Sequence, residues 1–208
     1  MGKFDTAILL AGGQSSRMGF DKQFLSVDNQ QLIHGIIEQL NSIFSDLIIV
    51  TNRSDAYKKY PFRIVEDEII GFGPLSGIHA GLKHSDSLYN YMIACDMPFI
   101  NRDYVHHMIN IIEGTEEKID AVITRYGQWI EPFNSFYCKD LVSTIEQHVK
   151  SGERKIHSLL IKSNVFYVAE EEARKFSPDW NMFMNINTME DIGKYLKIHE
   201  LLVYNRKV

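Results

Sequence analysis

The chain has 208 residues, of which 45% are hydrophobic and 24% charged, with a formal net charge of −5. This size and composition suit one globular domain, and the acidic balance argues against a nucleic-acid-binding protein, which would present a basic face. Two cysteines, Cys95 and Cys138, are too few for a disulfide framework. No secretory signal and no apolar run as long as a membrane span are present. We therefore expect a cytoplasmic protein that contacts neither nucleic acid nor membrane.

Short apolar runs alternate with helical periodicities up to about residue 125. The pattern predicts strands at Thr6–Leu10, Leu47–Thr51, Phe62–Val65, Tyr91–Ala94 and Ala121–Thr124, and helices at Leu32–Phe44, Ser76–Lys83 and Asp103–Ile112. Such alternation is typical of an open, mostly parallel, Rossmann-like α/β sheet with helices on both faces. Because parallel strands share one carboxyl edge, the loops after the first, third and fourth strands should meet there.

The second half of the chain follows without a flexible linker or an internal repeat. Glu131–Cys138 is a candidate antiparallel strand, Lys139–Val149 a candidate helix, and Val165–Val168 another candidate strand. The tail, Ile198–Val208, alternates weakly, which predicts a final strand or a frayed end. We expect residues 1–208 to form a single domain in which the second half extends the same sheet.

A glycine-rich polar loop follows the first strand. Gly12 and Gly13 let the backbone approach a bulky anion and expose amides that can donate to phosphate oxygens. Arg17 adds a planar fork of donors, and Lys22 adds a point charge. The spacing fits neither a Walker loop nor a Gly-x-Gly-x-x-Gly fingerprint. The loop predicts a phosphate site of another kind, and the alternative is a turn whose cations are only solvated.

An aspartate, Asp96, follows the fourth predicted strand after a single cysteine. Its carboxylate is expected at the carboxyl end of that strand, where open α/β sheets bind ligands. Mg²⁺ takes one or two protein carboxylates and completes its shell with phosphates and water. Asp96 is therefore the candidate Mg²⁺ ligand, and the alternative is an ordinary turn or helix-capping aspartate.

The run from Leu10 to Lys22 resembles the LAGGxSxRMGxDK signature of nucleotidyltransferases, and most closely that of the molybdenum cofactor guanylyltransferase family. Further segments agree with this family in the same order: Glu66-Asp67, Gly73–Ile78, Cys95–Phe99, Glu131-Pro132, Gly152–Lys155 and Asn185–Asp191. The resemblance spans roughly residues 5–193. It implies the nucleotide-diphospho-sugar-transferase fold, with a nucleotide-binding half at about 1–125 and an acceptor-binding half at about 126–200.

The resemblance implies a GTP site in the first half of the chain. The residues implied to bind the nucleotide are Leu10, Ala11, Gly12, Gly13, Lys22, Asp67, Gly73 and Asp96. Asp67 is expected to contact the ribose hydroxyls or the guanine edge, and Gly73 and Leu75 the base. A surface acidic cluster around Asp67 and a plain helix N-terminus at Gly73 are the alternatives.

The implied reaction is the Mg²⁺-dependent transfer of GMP from GTP to the phosphate of molybdopterin, which releases pyrophosphate. Arg17, Lys22 and Asp96 are the implied catalytic residues, the two cations acting on the charge of the leaving pyrophosphate. A CTP-dependent or sugar-nucleotide transferase remains open, because relatives of the same loop serve those enzymes. A non-catalytic carrier of nucleotide or cofactor also remains open.

Three residues of the second half are implied to face the acceptor: Arg154, Asn185 and Asn187. For the asparagines, helix capping before Thr188 is an alternative, and for Arg154 an ordinary cation at a helix end. The resemblance also implies transient contacts with other proteins of molybdenum cofactor synthesis.

Overall fold

The computed structural model describes residues 2–12, 26–27 and 30–205. Within them the strands are β1 (Thr6–Leu10), β2 (Ser26–Val27), β3 (Gln30–Gln31), β4 (Asp46–Val50), β5 (Arg63–Val65), β6 (Tyr89–Ala94), β7 (Ala121–Tyr126), β8 (Trp129–Cys138) and β9 (Val165–Ala169). The helices are α1 (Leu32–Asn41), α2 (Pro74–His84), α3 (Arg102–Gly114), α4 (Leu141–Lys150), α5 (Ile156–Ile161), α6 (Glu170–Arg174) and α7 (Met189–Asn205). None of these helices combines the length and the apolar character needed to cross a lipid bilayer.

Seven strands form one sheet in the order β5-β4-β1-β6-β8-β7-β9. β1 pairs in parallel with β4 and β6, and β4 pairs in parallel with β5. β8 runs antiparallel to β6 and β7, while β9 is parallel to β7. The predicted open, mostly parallel α/β sheet is confirmed, and the second half of the chain extends it as expected.

Helices cover both faces of the sheet, and every side chain of β1 is buried as a result. Ala7 and Leu9 point into the core beneath α1 and α3, whereas Ile8 and Leu10 point into the core beneath α2, α4 and α5. Successive residues of a strand face opposite sides, so a strand that is apolar throughout needs a helical layer on each side.

The prediction for the tail Ile198–Val208 is wrong, since its described residues continue helix α7. Ile192 and Tyr195 are buried against Leu32 and Ile186. Their three-residue spacing defines a helical face, and this packing outweighs the weak alternation further along the chain.

Helix α2 approaches β1 so closely that the contact requires a glycine. A Cβ added at Gly81 would lie 2.5 Å from Cγ2 of Ile8 and 3.3 Å from Cγ2 of Val50. Ile8 is fully buried in a packed core and has no room to retreat. One turn earlier, a Cβ at Gly77 would lie 3.2 Å from Cδ2 of Leu10. These two glycines let α2 pack closely against β1.

We expect Gly81→Ala to lower the free energy of unfolding by about 1–3 kcal/mol, because the added methyl group overpacks the core. Gly35→Ala in α1 is the matched control, since a Cβ there meets nothing within 4 Å. The control should leave stability unchanged or raise it by up to about 1 kcal/mol through helix propensity. Urea unfolding followed by circular dichroism measures both, and wild-type stability in Gly81→Ala would contradict the close contact.

Candidate active site

Four polar or small residues stand at one level of the sheet, just beyond its parallel strands. Leu10 is the register partner of both Val50 and Ala94, and Val50 is the partner of Val65. Gly12 lies two residues after Leu10, and Asn52 two after Val50. In the same way, Asp96 follows Ala94 and Asp67 follows Val65. Parallel pairing therefore brings four distant parts of the chain to the carboxyl edge where open α/β sheets bind ligands.

A cavity of about 370 Å³ opens at this edge. Of the predicted site residues, it is lined by Leu10, Gly12, Asp67, Gly73, Asp96 and Asn185. The structure thus brings five of the eight implied nucleotide residues and one implied acceptor residue to a single cleft. Gly13, Arg17 and Lys22 lie outside the described residues.

The end of β1 forms the floor of the cavity. The N–H of Ala11 donates to the carbonyl of Val50 at 2.8 Å, and its side chain is buried beneath α1 rather than on the cavity lining. At Gly12 the space that a Cβ would fill is open for 4 Å. A ligand can therefore come close to the backbone immediately after the strand.

Asp67 is held by a reciprocal pair of hydrogen bonds. The Asn52 amide donates from Nδ2 to Oδ2 of Asp67 at 2.8 Å, and the Asp67 N–H donates to Oδ1 of Asn52 at 3.0 Å. The neighbouring Glu68 accepts from Lys83 and His84 on the surface of α2. The acidic cluster predicted around Asp67 therefore divides, with Asp67 on the cavity and Glu68 in a surface ion pair.

The N-terminus of α2 forms a wall of the cavity. Gly71 and Gly73 have φ of 86° and 57°, a left-handed backbone that favours glycine. Gly73 is the N-cap, Pro74 begins the helix, and the Ser76 N–H donates to the Gly73 carbonyl at 3.0 Å. Leu75, in contrast, is fully buried in the core beneath α2. The backbone at Gly73, and not the Leu75 side chain, faces the cleft.

Asp96 lies just after β6, and its backbone is hydrogen-bonded to the segment that precedes α7. Its carbonyl accepts from the Ile186 N–H at 2.8 Å, which places Asn185 on the same cavity. The described residues contain no group of three or more His, Cys, Asp or Glu that could hold a metal by themselves. A carboxylate and an amide oxygen are nevertheless the hard ligands that Mg²⁺ prefers, with phosphates and water completing its shell. Asp96 and Asn185 fit that ion.

Two predicted acceptor residues lie off the cavity lining. The Arg154 guanidinium stands over the Phe72 ring, 5.3 Å from its centroid, beside the loop that leads to Gly73. The Asn187 N–H donates to Oδ2 of Asp191 at the start of α7, so this part of the segment caps a helix as the alternative interpretation expected.

Thr51, Asn52 and Phe133 are among the cavity residues that sequence reasoning missed. The first two form a polar pair directly after the apolar strand β4, a signal the sequence does contain. Phe133 reaches the cavity from a bulge in β8, where the pairing with β7 shifts register and Asn134 has a φ of 56°. A bulge of this kind depends on tertiary contacts and leaves little local signal.

The fold and the cleft define an α/β protein of the nucleotide-binding class. A profile of the MobA-like NTP transferase domain matches residues 7–165. The chain is 49% identical over 208 residues to a probable molybdenum cofactor guanylyltransferase of Peptoclostridium acidaminophilum, covering 99% of this chain and 94% of that protein. It is 50% identical over 195 residues to a molybdenum cofactor guanylyltransferase of Syntrophotalea carbinolica, covering 93% and 91%.

Among solved structures, the molybdopterin-guanine dinucleotide biosynthesis protein A from Archaeoglobus fulgidus superposes with a TM-score of 0.80 at 27% identity, covering 94% of this chain and 98% of that one. The chain therefore belongs to the molybdenum cofactor guanylyltransferase family, and it is a nucleotidyltransferase.

The segment after the cleft ends in a well-formed helix cap at Asp191. Its Oδ2 accepts from the N–H groups of Asn187 and Thr188 at 2.9 and 2.8 Å, and the Asp191 N–H donates to the Thr188 hydroxyl at 3.2 Å. These hydrogen bonds hold the pKa of the Asp191 carboxyl below its usual value. The cap fixes where α7 begins and hence where the preceding asparagines stand.

We expect Asp191→Ala to lower stability by about 1 kcal/mol at neutral pH, through loss of the cap. Because folding depresses this pKa, the contribution is present above the unfolded pKa and is lost as pH falls through the folded pKa. The difference from wild type should therefore shrink below about pH 4. Glu190→Ala, which removes an exposed carboxylate paired with Lys194, is the control and should change stability by less than about 0.5 kcal/mol. A difference that stays constant with pH would contradict the cap assignment.

Proposed function

We propose that this chain transfers GMP from GTP to the phosphate of molybdopterin, releasing pyrophosphate and forming molybdopterin guanine dinucleotide. Two relatives about half identical over nearly the whole chain are named molybdenum cofactor guanylyltransferases, which supports this reaction. The observation that carries the proposal is the single cavity that collects Gly12, Asp67, Gly73 and Asp96 from four separate parts of the chain.

The nucleoside is proposed to lie between the end of β1 and the start of α2. At both Gly12 and Gly73 a Cβ would meet nothing within 4 Å, which leaves room for a flat base against the backbone. The Asp67 carboxylate, steadied by Asn52, can accept two donors at once. This capacity suits the N1–H and 2-amino edge of guanine or the two ribose hydroxyls.

Asp96 and Asn185 are proposed to hold Mg²⁺ at the phosphate end of the cavity. When bound there, the ion would offset the negative charge of the phosphates. The hydrogen bond from Ile186 to the Asp96 carbonyl keeps the two ligand-bearing segments together. Gly13, Arg17 and Lys22 remain predicted phosphate-binding residues outside the described part of the chain.

The proposed chemistry requires no general base from the protein. A phosphate monoester has its second pKa near ~6 and is largely a dianion at neutral pH. The residues of the cleft then act by holding the two phosphates in line and by offsetting charge. Arg17 and Lys22 are the predicted groups for the charge that grows on the leaving pyrophosphate.

The acceptor is proposed to reach the cavity from the side of β8 and Asn185. Arg154 and Asn187 are kept as acceptor contacts outside the cavity lining, for the portion of the acceptor beyond its phosphate. Transient contacts with other proteins of the cofactor pathway belong to the same proposal. We propose the cytoplasm as the compartment, because two cysteines are too few for a disulfide framework.

Asp96→Asn should reduce pyrophosphate release by at least about 100-fold, because the variant lacks the charge that holds Mg²⁺. The assay supplies Mg²⁺, molybdopterin and GTP, with CTP and ATP in parallel reactions. Asp103→Asn, the same change at an exposed residue in the first turn of α3, is the control and should behave as wild type.

Pyrophosphate release with CTP in place of GTP would contradict guanylyl transfer, but it would agree with metal-dependent nucleotidyl transfer. Nucleotide binding without release from any of the three would instead favour the carrier. Wild-type activity in Asp96→Asn would overturn the metal assignment alone.

Asn52→Ala should raise the KM for GTP about tenfold while leaving kcat nearly unchanged. The change removes the amide that orients Asp67, and a hydrogen bond to a charged group is worth about that factor. Asn110→Ala on the exposed face of α3 is the control. Steady-state kinetics at saturating molybdopterin separates the two constants, and a fall in kcat alone would move Asp67 from binding to catalysis.

A further inference from the structure

Exposed aromatic side chains lie at the tip of the β7–β8 hairpin. Tyr126 and Trp129 are register partners at the tip of the hairpin and are 41% and 76% exposed. Trp180 lies over the same face, its ring centroid 5.2 Å from that of Tyr126. Aromatic rings grouped at an exposed edge are a sign of a binding surface.

One carboxylate, that of Glu131, faces this aromatic surface. Glu131 pairs with Thr124 across the hairpin, so its side chain shares a face with Tyr126 and Trp129. It is half-buried, it hydrogen bonds with the Trp180 side chain, and burial raises its pKa. The Arg174 guanidinium lies over the Trp180 and Tyr126 rings, 4.8 and 5.9 Å from their centroids, and leaves the Trp129 ring exposed. A carboxylate with one neutral donor keeps unused capacity to accept N–H groups.

The backbone around this carboxylate is held in an uncommon conformation. Asn134 and Trp180, with φ of 56° and 62°, are the non-glycine residues of positive φ in the described part of the chain. Asn134 is fully buried, accepts from the Tyr91 hydroxyl and donates to the Met182 carbonyl at 3.0 Å. Such strain persists where surrounding contacts enforce it, and it clusters at ligand sites.

Two parts of this surface lie close along the chain to residues that line the cavity. Phe133, which lines the cavity, lies two residues after Glu131, roughly 7 Å along a strand. The centroids of the Trp180 and Phe183 rings are 4.6 Å apart, and Asn185, two residues after Phe183, lines the cavity. A molecule whose phosphate reaches Asp96 can therefore lay its other end beside Glu131.

We propose that Glu131 and Trp129 bind the pterin ring of the acceptor, the carboxylate accepting its N3–H and 2-amino hydrogens and the indole stacking on its face. The proposal rests on the proposed function, in which molybdopterin is the acceptor. A carboxylate matches the two parallel donors of a 2-amino-4-oxopyrimidine ring, and ionised acceptors form the shorter, stronger hydrogen bonds. Pterin and phosphate lie at opposite ends of molybdopterin, and Glu131 lies outside the lining of the cavity to which Asp96 belongs.

Guanine carries the same 2-amino-4-oxopyrimidine edge as a pterin. The two carboxylates that could accept from this edge, those of Asp67 and Glu131, lie at different places in the sheet. Asp67 follows β5 at one edge of the sheet, and Glu131 lies on β8, beyond β6. With guanine proposed beside Gly73 and Asp67, Glu131 is left for the pterin. The binding experiment below tests whether Glu131 recognises the pterin ring or guanine.

The test compares pterin with lumazine, a ring of the same size that has a 2-oxo group in place of the 2-amino group. Binding to the whole protein is followed by quenching of ligand fluorescence, with Mg²⁺ and a non-hydrolysable GTP analogue present. Wild type should prefer pterin about 10- to 100-fold, because the carboxylate meets a donor in one ring and an acceptor in the other.

Glu131→Gln should bring this preference close to unity, because its amide can donate to the 2-oxo group. The amide oxygen can still accept from Trp180, so the melting temperature should not change, as it would for a merely structural carboxylate. Trp129→Ala should weaken both rings equally, about threefold to tenfold. Glu113→Gln, at an exposed position of α3, is the matched control.

Equal affinity of wild type for pterin and lumazine would overturn the proposal. Weaker binding of the GTP analogue in Glu131→Gln would also overturn it, because the carboxylate would then recognise guanine. Ring binding needs no turnover, so preserved pterin preference without guanylyl transfer would overturn the proposed function alone. With molybdopterin in turnover, Glu131→Gln should raise its KM about 10- to 100-fold and leave the KM for GTP unchanged.

Discussion

The parallel pairing of β1 with β4 and β6 is the constraint on which the rest of the structure depends. The ladder runs just past β1, where the Ala11 N–H donates to the Val50 carbonyl and the Cys95 N–H to the Leu10 carbonyl at 3.0 Å. Beyond this point the chain leaves the sheet, and the residues that follow these strands line the cavity. The register then decides which residues stand at that level, and it selects Gly12, Asn52, Asp67 and Asp96 together.

The acceptor side of the cleft depends on the antiparallel strand β8. Because β8 runs opposite to β6, its first residues, and not its last, reach the carboxyl edge of the parallel strands. The bulge before Ser135 turns Phe133 into the cavity, and the Asn134 amide fastens it to Tyr91 and to the segment of Met182. The buried Asn134 side chain thus connects the bulge of β8 to strand β6, which leads to Asp96, and to Met182, which lies three residues before Asn185.

The electrostatics of the cleft separate two kinds of recognition. The chain carries a net charge of −5, Asp67 and Asp96 line the cavity, and Glu131 lies two residues before Phe133 on β8, an arrangement that would repel phosphates. The N-terminus of α2 at Gly73 brings partial positive charge to the same cavity, and a metal at Asp96 would bring more. Two of the carboxylates are then free to select N–H and O–H donors, whereas amides and cations meet the phosphates. Local placement of charge, more than the total, determines what such a site binds.

By itself the sequence determined the open α/β fold, most strand ends and six of the residues that line the cavity, because apolar runs, glycines and strand-end carboxylates are local signals. It did not reveal α5, α6 or the helical tail, whose short or weak periodicities become decisive only through packing against other segments. The tertiary structure alone decided that Asn52 holds Asp67, that Leu75 belongs to the core, and that Phe133 lines the cavity. Those facts depend on strand register, on a bulge and on contacts between residues far apart in the chain, none of which a local pattern encodes.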